Sequence, residues 1–151
     1  MTTLEGLQQT RDETRDYFDL SPAQLALTYG TGKWSIRFLL HHLVDAETVL
    51  YDRVRRVISK PNQVIWGFDQ NAWAEGLKYE TRDLALQKPI YLGVRAMVIH
   101  LYQQFYESLG ETTFVHSETG IRSLKDEFDK IHWHNEHHLK QIRMALEKVG
   151  K

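Results

Sequence analysis

The sequence contains no cysteine, which excludes disulfide bonds, cysteine-based zinc sites and a cysteine nucleophile. Any transition-metal site must therefore take its ligands from His, Asp, Glu and water. An excess of charge of either sign is also missing, since the formal net charge is −1. No basic excess points to nucleic acid, and no acidic excess points to a disordered chain. We therefore expect no nucleic-acid partner.

Long apolar runs are absent as well, and none approaches the ~20 residues that a membrane span requires. The first six residues, Met1–Gly6, lack the charged and apolar regions of a signal peptide. We therefore expect a cytoplasmic protein without a membrane partner. The 151 residues, of which 42% are hydrophobic, predict one globular domain over residues 1–151. A domain of this size buries roughly 70% of its unfolded surface.

Apolar residues recur at helical spacing in four long stretches, and local signals mark their ends. Ser35 and Ser123 are good N-caps for the second and fourth stretches, and Gly110 is a good terminator for the third. The predicted helices run from about Thr3 to Phe18, from Ser35 to about Ser59, from about Thr81 or Pro89 to Leu109, and from Ser123 to about Val149.

The connections between these helices are of two kinds. Residues 60–80 are predicted to form a long irregular connection with one helical turn near Asn71–Glu75. Residues 111–122 are predicted to form a loop, in which 112–115 is the segment closest to an extended pattern. No strand alternation of any length appears. Four long helices without strands predict an all-α fold, a four-helix bundle.

Histidines are concentrated in the fourth predicted helix, where four of the eight fall between His132 and His138. His134 and His138 are four residues apart, so their rings lie about 40° apart on the helix and about 6 Å apart at their stems. Two imidazoles on one core-facing stripe suit a shared metal ion. His137 lies about 60° to the other side of His134 and is the alternative partner, whereas His132 points away.

A third ligand is predicted on the second helix, which carries His41 and His42 in adjacent positions. A histidine from this helix that faces His134 and His138 would complete a three-histidine site, because bundles build metal sites from facing helices. His42 shares a helix face with Asp45, and His41 lies about 100° away. Three histidines leave one coordination position for water, which is the catalytic form of such a site.

Two zinc-peptidase patterns are excluded by single residues of the fourth helix. The His-Glu-x-x-His pattern needs Glu at the position of Asn135, and the His-x-x-Glu-His pattern needs Glu at the position of His137. Glu136 lies about 160–200° from the histidine pair and is a poor general base. A peptidase is therefore disfavoured, and the competing interpretation of His134 and His138 is a solvated histidine cluster.

Two other groups of residues allow both a structural and a functional interpretation. Arg53, Arg55 and Arg56 form a solvated helix face in the structural interpretation and an anion-binding site in the functional one. The aromatic residues of the long connection are predicted to serve core or dimer packing rather than a ligand cage. They are Trp66, Phe68, Trp73 and Tyr79.

Several motifs taken together resemble those of DinB-like proteins. Lys33–Ile36 followed by His41–Glu47 resembles their Trp-Ser…His-Leu-x-Asp segment, and Phe68–Ala74 resembles their linker. The pattern from His134 to Ile142 resembles their last helix. The resemblance covers about Leu20 to Leu146, and its specificity comes from the order and spacing of the motifs.

The resemblance implies a four-helix bundle of up-down-down-up topology that is often a homodimer. It also implies a divalent metal ion, zinc or nickel, held by His42, His134 and His138. Asp45 would then orient His42 as a hydrogen-bonding partner or accept a proton. The choice of His42 over His41 depends on the resemblance and on the helix face shared with Asp45.

Some proteins of this kind, the bacillithiol and mycothiol transferases, transfer a low-molecular-weight thiol to an electrophile or act on thiol conjugates. The first functional hypothesis is therefore a metal-dependent thiol transferase or hydrolase with a small-molecule substrate, such as a low-molecular-weight thiol. The alternative is a non-enzymatic, stress-associated or structural bundle with an incidental metal site. An open coordination position beside a cavity would favour the enzyme, and a fourth protein ligand would favour the structural protein.

Overall fold

The structure is a computed structural model that describes residues 1–150 of the chain. Six α-helices and three short strands follow one another along these residues. In chain order they are α1 (Thr3–Tyr17), α2 (Pro22–Leu25), α3 (Ile36–Ser59), β1 (Val64–Ile65), α4 (Gln70–Gly76), α5 (Gln87–Phe105), β2 (Thr113–His116), β3 (Gly120–Ser123) and α6 (Leu124–Glu147). Short 3-10 turns, Leu84–Leu86 and Lys148–Gly150, precede α5 and follow α6.

Side-chain caps determine where the long helices begin. The Ser123 hydroxyl accepts from the Asp126 amide and the Asp126 carboxylate accepts from the Ser123 amide, a capping box that starts α6. The Ser35 hydroxyl caps α3 in the same position as the sequence predicts. Helix α5 has no such side-chain cap and begins at Gln87, directly after the turn Leu84–Leu86. Its start therefore lies between the two predicted ones.

The third long helix ends earlier than predicted, at Phe105 rather than Leu109. Gly110 lies where the chain passes close to the start of α6. A Cβ atom on Gly110 would lie 2.2 Å from the Tyr106 carbonyl oxygen and 2.6 Å from a side-chain carbon of Lys125. The glycine is therefore required for close packing rather than as the residue that directly follows the helix.

The expectation of a fold without strands is wrong, because β1, β2 and β3 form a small sheet in that order. Strand β1 pairs parallel to β2, with Val64 opposite Val115, and β2 pairs antiparallel to β3, with Phe114 opposite Arg122. Along β2 the side chains alternate between exposed and buried. Four alternating residues are too few to distinguish a strand from a loop in a sequence.

The four long helices α1, α3, α5 and α6 form the bundle, in which α1 and α3 each pack against both α5 and α6. Helices α3 and α6 run antiparallel. His42 near the start of α3 contacts His134, and Arg53 near its end pairs with Glu127 at the start of α6. The up-down-down-up order of all four helices stays a prediction. Within residues 1–150, no helix is both long and apolar enough to cross a membrane.

Two separate apolar cores fill the bundle. One includes Leu7, Leu50, Val54, Val98, Phe128 and Ile131, and the other includes Phe18, Ile36, Leu40, Val44, Tyr91 and Leu139. Between the two cores, each long helix contributes buried polar side chains. We call this set the polar layer, and it consists of Thr10, Thr14, Glu47, Arg95 and Asn135.

Candidate metal centre

Three of the predicted site residues meet inside the bundle. The Nε2 atom of His42 on α3 lies 2.9 Å from Nε2 of His134 on α6, and Nε2 of His138 lies 3.2 Å from the same His134 atom. The candidate ligand atoms of the three residues all lie within 4.8 Å of one another. The two histidines on α6 are brought together by their four-residue spacing, and His42 joins them because α3 packs antiparallel on α6.

The spacing of these nitrogen atoms fits one divalent ion. An ion bound tetrahedrally at about 2.0–2.1 Å separates its histidine nitrogens by about 3.3–3.4 Å. The separations of 2.9 and 3.2 Å around His134 differ from that geometry by only small ring movements. Converging ring nitrogens bring lone pairs or protons face to face. A cation is therefore the partner that this set of donors suits.

The protonation of His138 is determined by Gln141, one turn further along α6. Gln141 Oε1 lies 2.7 Å from His138 Nδ1, and because an amide oxygen only accepts, Nδ1 must donate. The neutral ring then carries its lone pair on Nε2, the atom that faces His134. Gln141 lies three residues after His138, and no role is predicted for it from the sequence. Its contact is the orienting hydrogen bond typical of metal-binding histidines.

Aromatic packing, rather than a hydrogen bond, orients the His42 ring. Its centroid lies 5.3 Å from that of Trp34 and 6.2 Å from that of Phe68, which stacks on it. The buried Nδ1 atom of His42 has no hydrogen-bond partner among residues 1–150. Trp34 directly precedes the N-cap of α3, and Phe68 lies just before α4. This packing could not be predicted from the sequence, because neither residue lies on a periodic stripe.

Asp45 lies on α3 one turn from His42, but its hydrogen bonds go elsewhere. The carboxylate accepts from the Tyr79 hydroxyl at 2.5 Å and from Arg82 Nη1 at 2.9 and 3.1 Å. Within the described residues His42 is not among these donors, so the contacts lend no support to Asp45 as its orienting partner. Asp45 instead ties the segment before α5 to α3.

The adjacent residue, His41, points away from the cluster. Its ring stacks on Tyr79 with a centroid separation of 5.2 Å, and its Nδ1 atom lies 3.1 Å from the side-chain amide of Gln87. The predicted separation of about 100° between neighbouring helix positions thus directs His41 toward α5 and His42 toward His134.

Burial lowers the pKa of each histidine in the cluster. The pKa of His42 is lowered to about 3 by burial and further by the charge of His138. Burial lowers the pKa of His138 to about 4, against the opposing effect of its hydrogen bond with Gln141. Burial also holds the pKa of His134 well below its usual value. At neutral pH all three rings are therefore uncharged and suited to bind a metal ion.

The metal-free protein is expected to lose stability as the pH falls below about 6.5, the ordinary histidine pKa. The unfolded chain takes up protons there, whereas His42 and His138 stay neutral in the fold until the pH approaches 3 to 4. Because the unfolded state binds more protons, the free energy of unfolding should fall by about 2 kcal/mol per histidine between pH 7 and pH 5. Urea unfolding in the presence of a chelator measures this loss.

The His42→Ala variant provides the control for that pH dependence. It removes one of the buried rings, so its stability should decline less steeply between pH 7 and pH 5 than that of the wild type. This window lies above the range in which most carboxyl groups titrate, which separates the two effects. A wild-type stability that stays constant over the window would contradict buried, neutral histidines.

The cluster opens on a cavity of about 420 Å³. Trp34 and Asn71 line this cavity together with His134, His138 and Gln141. Among residues 1–150, no fourth His, Asp or Glu joins the three histidines. The arrangement therefore combines three protein ligands with an adjoining open space.

His137, the alternative partner of His134, lies at the edge of this cavity and outside the cluster. Its exposed ring stacks on Trp133 with a centroid separation of 5.6 Å. The Gln141 amide nitrogen lies 3.4 Å from its Nε2 atom. Glu136, as its predicted helix position requires, is directed elsewhere and pairs with Arg143 at 2.8 Å.

Comparison with known proteins identifies a family whose model matches this chain and several relatives of similar sequence. The family model of the DinB superfamily matches residues 6–142. A protein of Oceanobacillus iheyensis named "Putative metal-dependent hydrolase OB0413" is 31% identical over 131 residues, which cover 84% of this chain and 73% of the relative. A "Putative metal-dependent hydrolase" of Bacillus cereus strain 03BB102 is 31% identical over 155 residues, covering 99% and 86%.

One solved structure is similar over nearly the whole chain. It is YfiT from Bacillus subtilis, described as "a probable metal-dependent hydrolase with an unusual four-helix bundle topology". The TM-score is 0.89 at 21% sequence identity, and the match covers 98% of this chain and 86% of YfiT. At this identity the similarity establishes the helical-bundle fold.

Proposed function

The chain belongs to the DinB superfamily, and on this premise we propose that it is a metal-dependent hydrolase of a small-molecule substrate. His42, His134 and His138 would hold the divalent ion. One observation carries the proposal: the three histidines converge beside a cavity of about 420 Å³ without a fourth protein ligand among residues 1–150. Catalytic sites keep such an open position, whereas structural zinc sites are closed by four protein ligands.

We propose zinc or nickel as the ion, since imidazole nitrogen suits both. When bound, the ion supplies Lewis-acid chemistry, polarising a substrate oxygen or activating water at neutral pH. The chain itself supplies the remaining functions. Trp34 shields one side of the cluster and packs against the His42 ring. Gln141 holds the His138 ring in the tautomer that binds through Nε2.

We propose His137 as the group that carries a proton during turnover. It lines the cavity beside His138, with ring centroids 5.0 Å apart, and it is outside the set of ligands. An imidazole ring can both accept and donate a proton through its two nitrogen atoms. Asn71 lines the same cavity, and its amide group is suited to orient a polar substrate.

Transfer of a low-molecular-weight thiol, which the resemblance implies, would use the same three histidines. In that case a thiolate rather than water would attack the second substrate. The two reactions differ in their co-substrate, so one assay distinguishes them: hydrolysis proceeds in buffer alone, and transfer requires an added thiol. The names of the relatives favour hydrolysis.

The proposal is tested with untagged protein, loaded with zinc or nickel and assayed on a panel of chromogenic esters and amides. We expect turnover that disappears with a chelator and returns when the ion is restored. The His137→Ala variant should keep the ion but lose activity by about a hundredfold, the contribution typical of general acid–base catalysis.

Two results would reject this function. Equal rates for wild type and His134→Ala would show that the cluster is not the active site. Absence of turnover in fully loaded protein, with a large loss of thermal stability on chelation, would favour the structural bundle instead.

We also propose the up-down-down-up order for the bundle, because the helix ends that meet support it. Contacts near both ends of α1 and α6 favour a parallel pair, and contacts near the starts and the middles of α3 and α5 favour a second parallel pair. The contacts are Thr3–Asp129 and Glu13–Arg143 for α1 and α6, and His41–Gln87 and Glu47–Arg95 for α3 and α5.

A further inference from the structure

A second cavity, of about 500 Å³, adjoins Phe68, the residue that stacks on His42. It lies between the second half of α3, strand β1 and the connection to α4. Arginines of α3 and aromatic residues of the connection after it, the two groups for which the sequence allows a functional interpretation, meet here. We call the cavity the arginine–aromatic pocket, and the residues that define it are Arg53, Arg56, Trp66, Phe68 and Trp73.

Arg53 is the unusual residue of this pocket, because it is buried but has few partners. Its side chain is only 4% exposed. Nη2 donates to the Trp66 carbonyl oxygen at 3.3 Å, and Nη1 lies 3.6 Å from Glu127 Oε2. Its buried Nε atom has no hydrogen-bond partner within residues 1–150. A guanidinium group has five N–H donors, and burying them unsatisfied is unfavourable. An anion beside Arg53 would satisfy more of them.

Four arginines surround this pocket, and they outnumber the three nearby carboxylates, those of Asp52, Glu127 and Glu118, which lies beside Gly67. Behind the pocket, Glu127 pairs with Arg122 at 2.9 Å as well as with Arg53. At the edge of the pocket, the single carboxylate of Asp52 forms ion pairs with both Arg55 and Arg56. The charged residues of the lining itself are two arginines and one aspartate. One negative charge would balance them, which favours a monoanion over a dianion.

The aromatic residues of the pocket suit a flat apolar group. Trp66 is 78% exposed, so its indole ring is available to a ligand. The rings of Phe68 and Trp73 pack against each other at a centroid separation of 4.9 Å. Aromatic rings stack on such surfaces in offset or edge-to-face arrangements. The pocket therefore combines a cationic wall with aromatic ones.

We propose that the arginine–aromatic pocket binds a small monocarboxylate with a planar aromatic body. Its carboxylate would contact Arg53 and Arg56, and its ring would pack against Trp66 and Trp73. This binding needs no metal ion. Because Phe68 connects the pocket to His42, the bound group is the part of a substrate that is recognised next to the metal centre. That second step rests on the proposed hydrolase function.

The test uses 2-naphthoate as the probe, with binding to the full-length, untagged protein measured by calorimetry and tryptophan fluorescence. The neutral 2-naphthamide has the same ring system without the charge. We expect 2-naphthoate to bind about tenfold more tightly than the amide, as a charge-assisted hydrogen bond implies. Equal affinities would overturn the anion site. Tighter binding of 2-naphthyl phosphate than of 2-naphthoate would overturn the choice of a monoanion.

Two pairs of exposed residues provide matched variants. Arg56→Gln should weaken 2-naphthoate binding about fivefold, whereas Arg55→Gln, which shares Asp52 but lies outside the pocket, should not. Trp66→Ala should weaken it about fivefold, whereas Trp133→Ala should not. Equal effects within either pair would overturn the assignment to this pocket. These variants avoid Arg53, whose removal would leave Glu127 buried with one cation fewer.

The His134→Ala variant separates this proposal from the proposed function. It removes a metal ligand and leaves the pocket intact, so its affinity for 2-naphthoate should match that of the wild type within about twofold. Loss of binding in His134→Ala would assign the carboxylate to the metal centre and overturn the pocket. If the protein binds 2-naphthoate but hydrolyses no substrate of the panel, the hydrolase function is rejected and the carboxylate site in the pocket is supported.

Discussion

Replacing His134 with alanine is expected to weaken binding of the divalent ion at least about a hundredfold, because two ligands remain where three converge. His134 is the central residue of the cluster: its Nε2 atom lies within 3.2 Å of the corresponding atoms of both His42 and His138. The measurement is the metal content of untagged protein after dialysis against buffered zinc or nickel. The wild type should retain about one ion per chain, and the variant should retain almost none.

His137 supplies the matched control, since it lies three residues further on the same helix and outside the cluster. His137→Ala should bind the ion as well as the wild type does. The same protein samples give a second readout, because an ion that binds only the folded state raises the melting temperature. That increase should be present in His137→Ala and absent in His134→Ala. Equal metal content in all three proteins would contradict the three-histidine site.

Replacing Glu47 with alanine is expected to destabilise the protein by about 3–5 kcal/mol, the cost of leaving a buried charge without its partner. Arg95 is fully buried in the polar layer, and both oxygens of the Glu47 carboxylate bind its guanidinium group. Arg95 also donates to Asn135 at 2.7 Å and to Thr10 at 2.8 Å. Without Glu47, these neutral partners would have to solvate the cation alone. Urea unfolding of the metal-free protein measures the loss.

Asp52→Ala is the control, because it removes a carboxylate from the exposed part of the same helix. Its ion pairs with Arg55 and Arg56 are at the surface, and their loss should change stability by less than about 1 kcal/mol. The double variant Glu47→Leu with Arg95→Met removes both buried charges, and it should recover most of the stability. A Glu47→Ala variant as stable as Asp52→Ala would show that the buried ion pair contributes little.

The parts of this protein that its sequence predicts are those governed by local periodicity. Apolar spacing and caps such as Ser35 and Ser123 predict the long helices, and the predicted helix ends lie within a few residues of the observed ones. His134 and His138 meet because both lie on one face of one helix. His42 could not be selected over His41 by spacing alone, because the choice depends on how α3 is rotated against α6. The resemblance to DinB-like proteins, together with the helix face shared with Asp45, selects His42 and so indicates which face of α3 is turned toward α6.

The features that were not predicted depend on contacts between distant segments. The sheet pairs residues 64–65, between α3 and α4, with residues 113–116, between α5 and α6. Each of these strands is too short to show alternation in the sequence. The pairing of Arg95 with Glu47 crosses 48 residues of sequence. The meeting of Arg53 with Trp66 depends on the path of an irregular connection. Hydrophobic patterns carry no information about such polar partners.

The polar layer has a consequence for how α6 aligns with its neighbours during folding. Asn135 donates to Thr14 at 2.9 Å and accepts from the Tyr91 hydroxyl at 2.5 Å and from Arg95, and its chain neighbour is His134. A slip of α6 by one turn, about 5.4 Å, would leave the apolar surfaces covered but would separate Asn135 from all three partners. Misaligned bundles are therefore disfavoured by buried hydrogen-bonding groups without partners, a penalty that hydrophobic packing alone would not impose. The alignment that keeps the three hydrogen bonds of Asn135 is the one that brings both α6 histidines to His42.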